Sequence, residues 1–143
     1  MRLNSFFGIP KLKINHVEHK RETVLILASI VSNRSRCPDC GEFSSCIHDY
    51  YYRSINDLPV FQNTTIIKLR TRKFRCKNAV CNRKVFSEQI PEIYKYARRK
   101  TRVAKLLDNI SIELTGKQGS LLSSLLMLKV SISTLTRIAH NQR

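Results

Sequence analysis

Five cysteines, Cys37, Cys40, Cys46, Cys76 and Cys81, are the residues in this chain best suited to chemistry. Cys37-Pro-Asp-Cys40-Gly41 sets two thiols with two residues between them, so both sulfurs can grip one ion. Its glycine permits the tight positive-φ turn that aims backbone N–H groups at sulfur. Cys76-Lys-Asn-Ala-Val-Cys81 is a second, wider knuckle. Together Cys37, Cys40, Cys76 and Cys81 supply the four thiolates of a closed tetrahedral site, and structural Zn2+ is the expected cofactor. The ordinary alternative is a set of buried cysteines without metal. Iron in an electron-transfer centre also suits four thiolates, but two CxxC knuckles are its usual carriers. Cys46 stands outside the pairs and reads as a free or half-buried thiol, and His48, beside Tyr50, Tyr51 and Tyr52, reads as a surface or packing residue that competes weakly as a ligand.

Charge narrows the partners. The 143 residues carry 26 Lys and Arg against 10 Asp and Glu, a formal net charge of +16. Four thiolates on one dication lower this only to about +14, so a polyanionic partner is indicated and a carboxylate-rich two-metal site is disfavoured. The apolar runs Val24 to Val31 and Leu121 to Leu128 are too short to span a bilayer. Met1 to Gly8 lacks the apolar stretch of a leader, so a reducing, cytoplasmic setting is expected, where paired thiols bind metal rather than form disulfides. No phosphate-binding GxxxxGK[ST] loop and no recognisable nucleophile triad is visible.

The elements that must hold these groups read as an α+β chain: a small zinc-ribbon-like β module at 1–90, a linker at 91–97 and a three-helix helix-turn-helix at 98–143. Glu22 to Val31 is rich in β-branched and aliphatic residues and predicts a buried strand, with Ile14 to Val17 as its partner. Asp57-Leu-Pro59 predicts a turn. Thr64 to Arg75 alternates, placing Ile67, Leu69 and Thr71 on one face and Lys68, Arg70 and Arg72 on a wet, basic face. Residues on one face of a strand repeat about every 6.5 to 7 Å, close to the phosphate spacing along a nucleic-acid strand, so this row suits a backbone; a solvated edge is the competing reading.

Beyond Pro91 the segment Ala97 to Lys105 carries Arg98, Arg99, Lys100, Arg102 and Lys105, a cationic lead-in suited to phosphate. Val103, Leu106, Leu107, Ile110 and Leu114 fall at helical spacing and predict a first helix ending near Gly116. A second is expected after Gly119, capped by Ser120, with Leu122, Leu125 and Leu126 inward. A third is expected after Ser131, with Leu135, Ile138 and Ala139 inward. Its outer face would offer Ile132, Ser133, Thr136, Arg137 and His140 to a DNA groove.

In this order the motifs resemble the N-terminal region of a family of bacterial insertion-sequence transposases that open with a four-cysteine zinc finger and continue into a helix-turn-helix. The resemblance covers roughly residues 35 to 140. It rests on Cys37-Pro-Asp-Cys40-Gly41, His48, Arg53, Asp57-Leu-Pro59, Arg72-Lys-Phe-Arg-Cys76, Cys81, Arg83, Phe86 and Glu88, then on Leu114-Thr-Gly-Lys117, Gly119-Ser120, Val130-Ser131, Thr134-Leu135 and Arg137. It implies recognition of the terminal inverted repeats of an element, with cutting and joining done by a carboxylate-bearing domain that this chain is expected to lack. The chain departs from the family where Gly and Pro are common before the third helix: Met127 and Lys129 stand there instead. A requirement for positive φ at that turn would cost Met about 1 kcal/mol. Leu121 stands where the family commonly has a basic residue.

The resemblance thus implies a nucleoid-associated DNA-binding protein that is not an enzyme by itself, with a separate catalytic chain or a second copy as further partners. The expected DNA contacts are Lys68, Arg70, Arg72, Arg98, Arg99, Lys100, Arg102, Ser133, Thr136 and Arg137. The alternative is a stand-alone transcriptional regulator, or an RNA-binding module that stacks bases on Tyr50, Tyr51, Tyr52, Phe61 or Phe74.

Overall fold

The computed structural model describes residues 7–94, 97–114 and 116–141. Lys95 and Tyr96 of the expected linker, and Thr115 of the Leu114-Thr-Gly-Lys117 motif, lie outside the described residues. Among the described residues seven strands come first: β1 (Leu12–Lys20), β2 (Thr23–Ile30), β3 (Ser35–Arg36), β4 (Phe43–Ser44), β5 (Ile47–Val60), β6 (Asn63–Arg75) and β7 (Val85–Ser87). Three helices follow among the described residues: α1 (Thr101–Glu113), α2 (Gly116–Leu125) and α3 (Ile132–Asn141).

The main sheet runs β1-β2-β6-β5, with β7 added to β6 and with β2 parallel to β6. The expected strand at Glu22 to Val31 and its partner are β2 and β1, an antiparallel hairpin. In β6 the alternation holds: Thr65, Ile67, Leu69 and Thr71 are buried while Lys68 and Arg70 are exposed. The buried row joins Ile26, Ala28 and Ile55, and Phe7, Ile9, Ile90 and Ile93 complete the same core.

The turn expected at Asp57-Leu58-Pro59 is instead part of β5, within a register irregularity between Asp57 and Val60. Such a break in the ladder accommodates a proline, which has no N–H to donate. The chain reverses at Phe61 and Gln62, whose φ values of 49° and 59° are those of a tight two-residue hairpin turn.

At this end of the hairpin the helices dock. Asn56 N donates to Arg98 O at 2.8 Å and Lys100 N to Asn56 O at 3.0 Å, so the cationic lead-in extends the edge of β5. Leu58 packs against the helical core of Val103, Leu107, Ile110, Leu128 and Leu135. Thr64 Oγ1 donates to Met127 O at 3.1 Å, which ties the α2–α3 connection to the sheet.

Helix α2 begins at Gly116, ahead of the expected start after Gly119. Ser120 is therefore inside the helix and caps nothing; its Oγ donates to Val130 O at 3.1 Å. Leu122 packs against the helical core as expected, but the buried positions are Gly119 and Ser123, and Leu125 is 72% exposed and Leu126 40%. The reason is proximity: a Cβ on Gly119 would lie 3.2 Å from Leu135 Cδ1, so small residues let α2 approach α3. Ser131 caps α3 as expected, accepting from Thr134 N at 3.3 Å, and Leu135 is buried. Met127, in the connection, has a φ of 57°.

Candidate metal centre and nucleic-acid interface

The sulfurs of Cys37, Cys40, Cys76 and Cys81 all lie within 4.8 Å of one another, with Cys40 and Cys76 Sγ 3.5 Å apart. Zinc bonded to four sulfurs at about 2.3 Å would hold them about 3.8 Å apart, so this donor set fits a tetrahedral structural zinc site. The sequence brings them together in two ways. Gly41, at φ 75°, closes the first knuckle, donating from N to Cys37 O at 2.9 Å, while Cys37 N donates to Glu42 O. The second knuckle leaves the end of β6, where Cys76 N donates to Lys84 O at 2.9 Å and Asn78 turns the chain toward Cys81.

Phe74 and Phe86, with ring centroids 5.9 Å apart, pack with the cysteines in a small separate core. Arg83 and Asp39 join the two knuckles through an ion pair of 2.7 Å.

Without a cation the four thiols do not ionise alike: one is favoured at the expense of others. At Cys37, burial raises the pKa, but the backbone N–H groups of Cys40 and Asp39 and the neighbouring thiols outweigh it, bringing it to about 7. At Cys76 the backbone N–H of Asn78 lowers the pKa, yet burial and the thiols of Cys40, Cys37 and Cys81 push it up to about 12. A dication resolves this conflict by stabilising all four thiolates at once. Cys46 is exposed, and His48 Nδ1 lies 3.4 Å from Arg75 Nε as its acceptor; neither belongs to the cluster.

The cations expected to meet DNA divide into two groups. Lys68 and Arg70 lie on the open face of the sheet, beside the exposed Tyr52 and Tyr50 respectively, with Arg70 4.1 Å from the Tyr50 ring centroid. Arg98 is exposed, as are Ser133, Thr136 and Arg137 on the outer face of α3. Arg99 is half-buried, and first burial and then the charge of Arg137 pull its pKa below the ordinary arginine value.

Arg72, Lys100 and Arg102 are instead paired with carboxylates of the protein, Lys100 buried and Arg102 partly exposed. Arg72 binds both carboxylate oxygens of Glu88, with its Nε 3.1 Å from Oε2, and also donates to Ser32 O. Lys100 is buried; its Nζ donates to Phe7 O and lies 3.3 Å from Asp57 Oδ2. Burial pulls the pKa of Lys100 down, against the opposing pull of Asp57. Arg102 forms a two-pronged pair with Asp57. Strand alternation counts Arg72 as outward because Glu88, its partner, arrives from outside β6. Residue type alone likewise gives no sign that Asp57 gathers Lys100 and Arg102.

Residues 33–81 match the family described as the zinc-finger of transposase IS204/IS1001/IS1096/IS1165. The span contains all four clustered cysteines and ends at the last of them. No curated protein and no solved structure matches the chain.

Proposed function

We propose that this protein binds double-stranded DNA as the end-recognition part of an insertion-sequence transposase. The observation that carries the reading is the family match at 33–81, whose span encloses a cysteine cluster fitted to zinc, in a chain of net charge +16. Zinc would be structural here: held by Cys37, Cys40, Cys76 and Cys81, it fixes the end of β6 and takes no part in a reaction.

In this reading α2 and α3 act as a helix-turn-helix. Helix α3 is capped by Ser131 and held by Leu135, and it leaves Ile132, Ser133, Thr136, Arg137 and His140 exposed along one side. Such a face can enter the major groove, where Arg137 reads guanine O6 and N7 and Ser133 and Thr136 contact phosphate or base edges. Lys68 and Arg70 on the open sheet face, with Arg98 and Arg99, supply phosphate contacts. Cutting and joining strands would belong to a separate domain or chain, and the working location would be the nucleoid.

The test is fluorescence anisotropy with duplexes taken from inverted repeats flanking the reading frame, against scrambled duplexes. End-containing DNA should bind more tightly. If about six to ten phosphates are neutralised, affinity should fall about 10³- to 10⁵-fold between 50 and 200 mM salt. Equal binding of both duplexes, or a flat salt response, overturns the proposal.

A second reading is favoured by one observation: Tyr52 is 61% exposed and Tyr50 44% exposed on the basic open face. Such a surface suits unpaired bases. Preference for single-stranded RNA in competition would make this an RNA-binding module, and binding to an operator without flanking repeats would make it a regulator.

A further inference from the structure

The α2–α3 connection carries a cation that strand and helix periodicity do not single out. Lys129 is exposed and lines one cavity together with Arg99, Asn56 and Thr64. It also lines a neighbouring cleft with Arg21 from the β1–β2 turn. On its other side Arg99 lines a cleft that includes Ile138 of α3, next to Arg137. Arg21, Lys129 and Arg99, from three distant parts of the sequence, thus follow one another through shared clefts at the junction of sheet and helices, with Arg137 close enough to Arg99 for their charges to act on each other.

The row is held in place by the backbone. Thr64 N donates to Glu22 O at 2.8 Å and Thr64 Oγ1 to Met127 O at 3.1 Å, so Thr64 links the turn bearing Arg21 to the connection bearing Lys129. Arg99 is fixed through the bonds of its neighbours Arg98 and Lys100 to Asn56. The carboxylates nearby are Glu22 and Asp108, which line the outer clefts, and Asp57, which is already paired with Lys100 and Arg102. No hydrogen bond or ion pair joins the side chains of Arg21, Lys129, Arg99 or Arg137 to a carboxylate among the described residues.

Folding therefore gathers like charges, half-burying Arg99 beside Arg137, at a cost that a bound polyanion would remove. We propose that Arg21, Lys129 and Arg99 form a track for the phosphodiester backbone of duplex DNA, leading from the β1–β2 turn to the segment read by α3. This rests on the DNA-binding reading above and adds where the backbone runs. Its contribution is independent of sequence, because phosphate contacts fix position without reading bases.

The experiment uses the full zinc-loaded chain and three variants, Arg21→Gln, Lys129→Gln and Arg99→Gln. Each should weaken end-containing and scrambled duplexes by the same factor and reduce the slope of log affinity against log salt by about 1. Duplexes extended past the α3 segment should gain affinity with the wild-type chain and gain none with the triple variant. At low salt Arg99→Gln should melt no lower than wild type, since repulsion from Arg137 is relieved; this separates loss of binding from loss of fold. Wild-type binding with unchanged salt slopes in all three variants overturns the track but leaves DNA binding intact. No duplex binding by wild type overturns both. Arg21 and Lys129 are exposed, so those variants remain informative if Arg99→Gln misfolds.

Discussion

Arg102 Nε lies 2.5 Å from Asp57 Oδ1 and its Nη2 2.6 Å from Oδ2, a two-pronged ion pair that clamps the first turn of α1 to the far end of β5. Asp57 is wholly buried and Lys100 Nζ lies 3.3 Å from the same carboxylate. One acid thus pairs with two bases where the sheet meets the helices, and it also accepts a hydrogen bond from Leu58 N at 2.8 Å.

Asp57→Asn should therefore destabilise the fold by about 3–5 kcal/mol, the usual cost of leaving a buried charge unpaired. Chemical denaturation measures the loss. Adding Lys100→Met to Asp57→Asn should recover part of it, because the remaining buried cation is then removed. A single variant as stable as wild type would show that the clamp contributes nothing.

Removing zinc should unfold the knuckle end of the molecule. Binding free energies of structural zinc in comparable finger peptides are about 10–16 kcal/mol, and that energy is folding energy for the small core of Phe74 and Phe86. Purified protein should contain one zinc, and cobalt should give a tetrahedral thiolate spectrum. A chelator should reduce circular dichroism and lower the melting temperature. Cys76→Ser should lose the metal, while Cys46→Ser, changed at an exposed thiol, should keep it.

Met127→Gly should stabilise the chain by about 1 kcal/mol, since a left-handed φ of 57° strains any residue with a Cβ. The melting temperature reports the effect, and the bond from Thr64 Oγ1 to Met127 O involves only backbone at residue 127. A fall in stability would mean that the Met127 side chain contributes more by packing than its backbone costs.

Gly119→Val should destabilise by about 1–3 kcal/mol through overpacking. Even the Cβ would sit 3.2 Å from Leu135 Cδ1 and 3.3 Å from Leu114 O. Because Leu135 anchors α3, DNA binding should fall with stability, and a duplex titration alongside thermal melting tests whether the two losses coincide.

Arg137→Gln should erode preference for the cognate end, whereas Arg70→Gln should weaken all duplexes alike. Matching losses on cognate and scrambled DNA for Arg137 would assign it to phosphate contact.

Much of this protein was written in local pattern. The two cysteine knuckles named their own ligand set, because ligand spacing within each knuckle is a property of a few adjacent residues. Alternation in β6 separated the buried Ile67 and Leu69 from the exposed Lys68 and Arg70, and Ser131 marked the start of α3. Each depends on neighbours within one element, where period and capping chemistry are enough.

Tertiary structure decided the rest. Leu125 looked inward by its hydrophobicity, but α2 turns Gly119 and Ser123 toward α3, since close helix approach favours small side chains over large ones. Arg72, Lys100 and Arg102 looked like DNA contacts by charge, yet Glu88 and Asp57 reach them from 16, 43 and 45 residues away in sequence. Lys129 stood out in the sequence only as a departure from the family's turn, and it is the folded connection that sets it in one cavity with Arg99. A sequence declares which groups carry charge or sulfur; whether a charge is neutralised inside or left to meet a partner depends on what distant segments bring beside it, and that is set only when the chain packs.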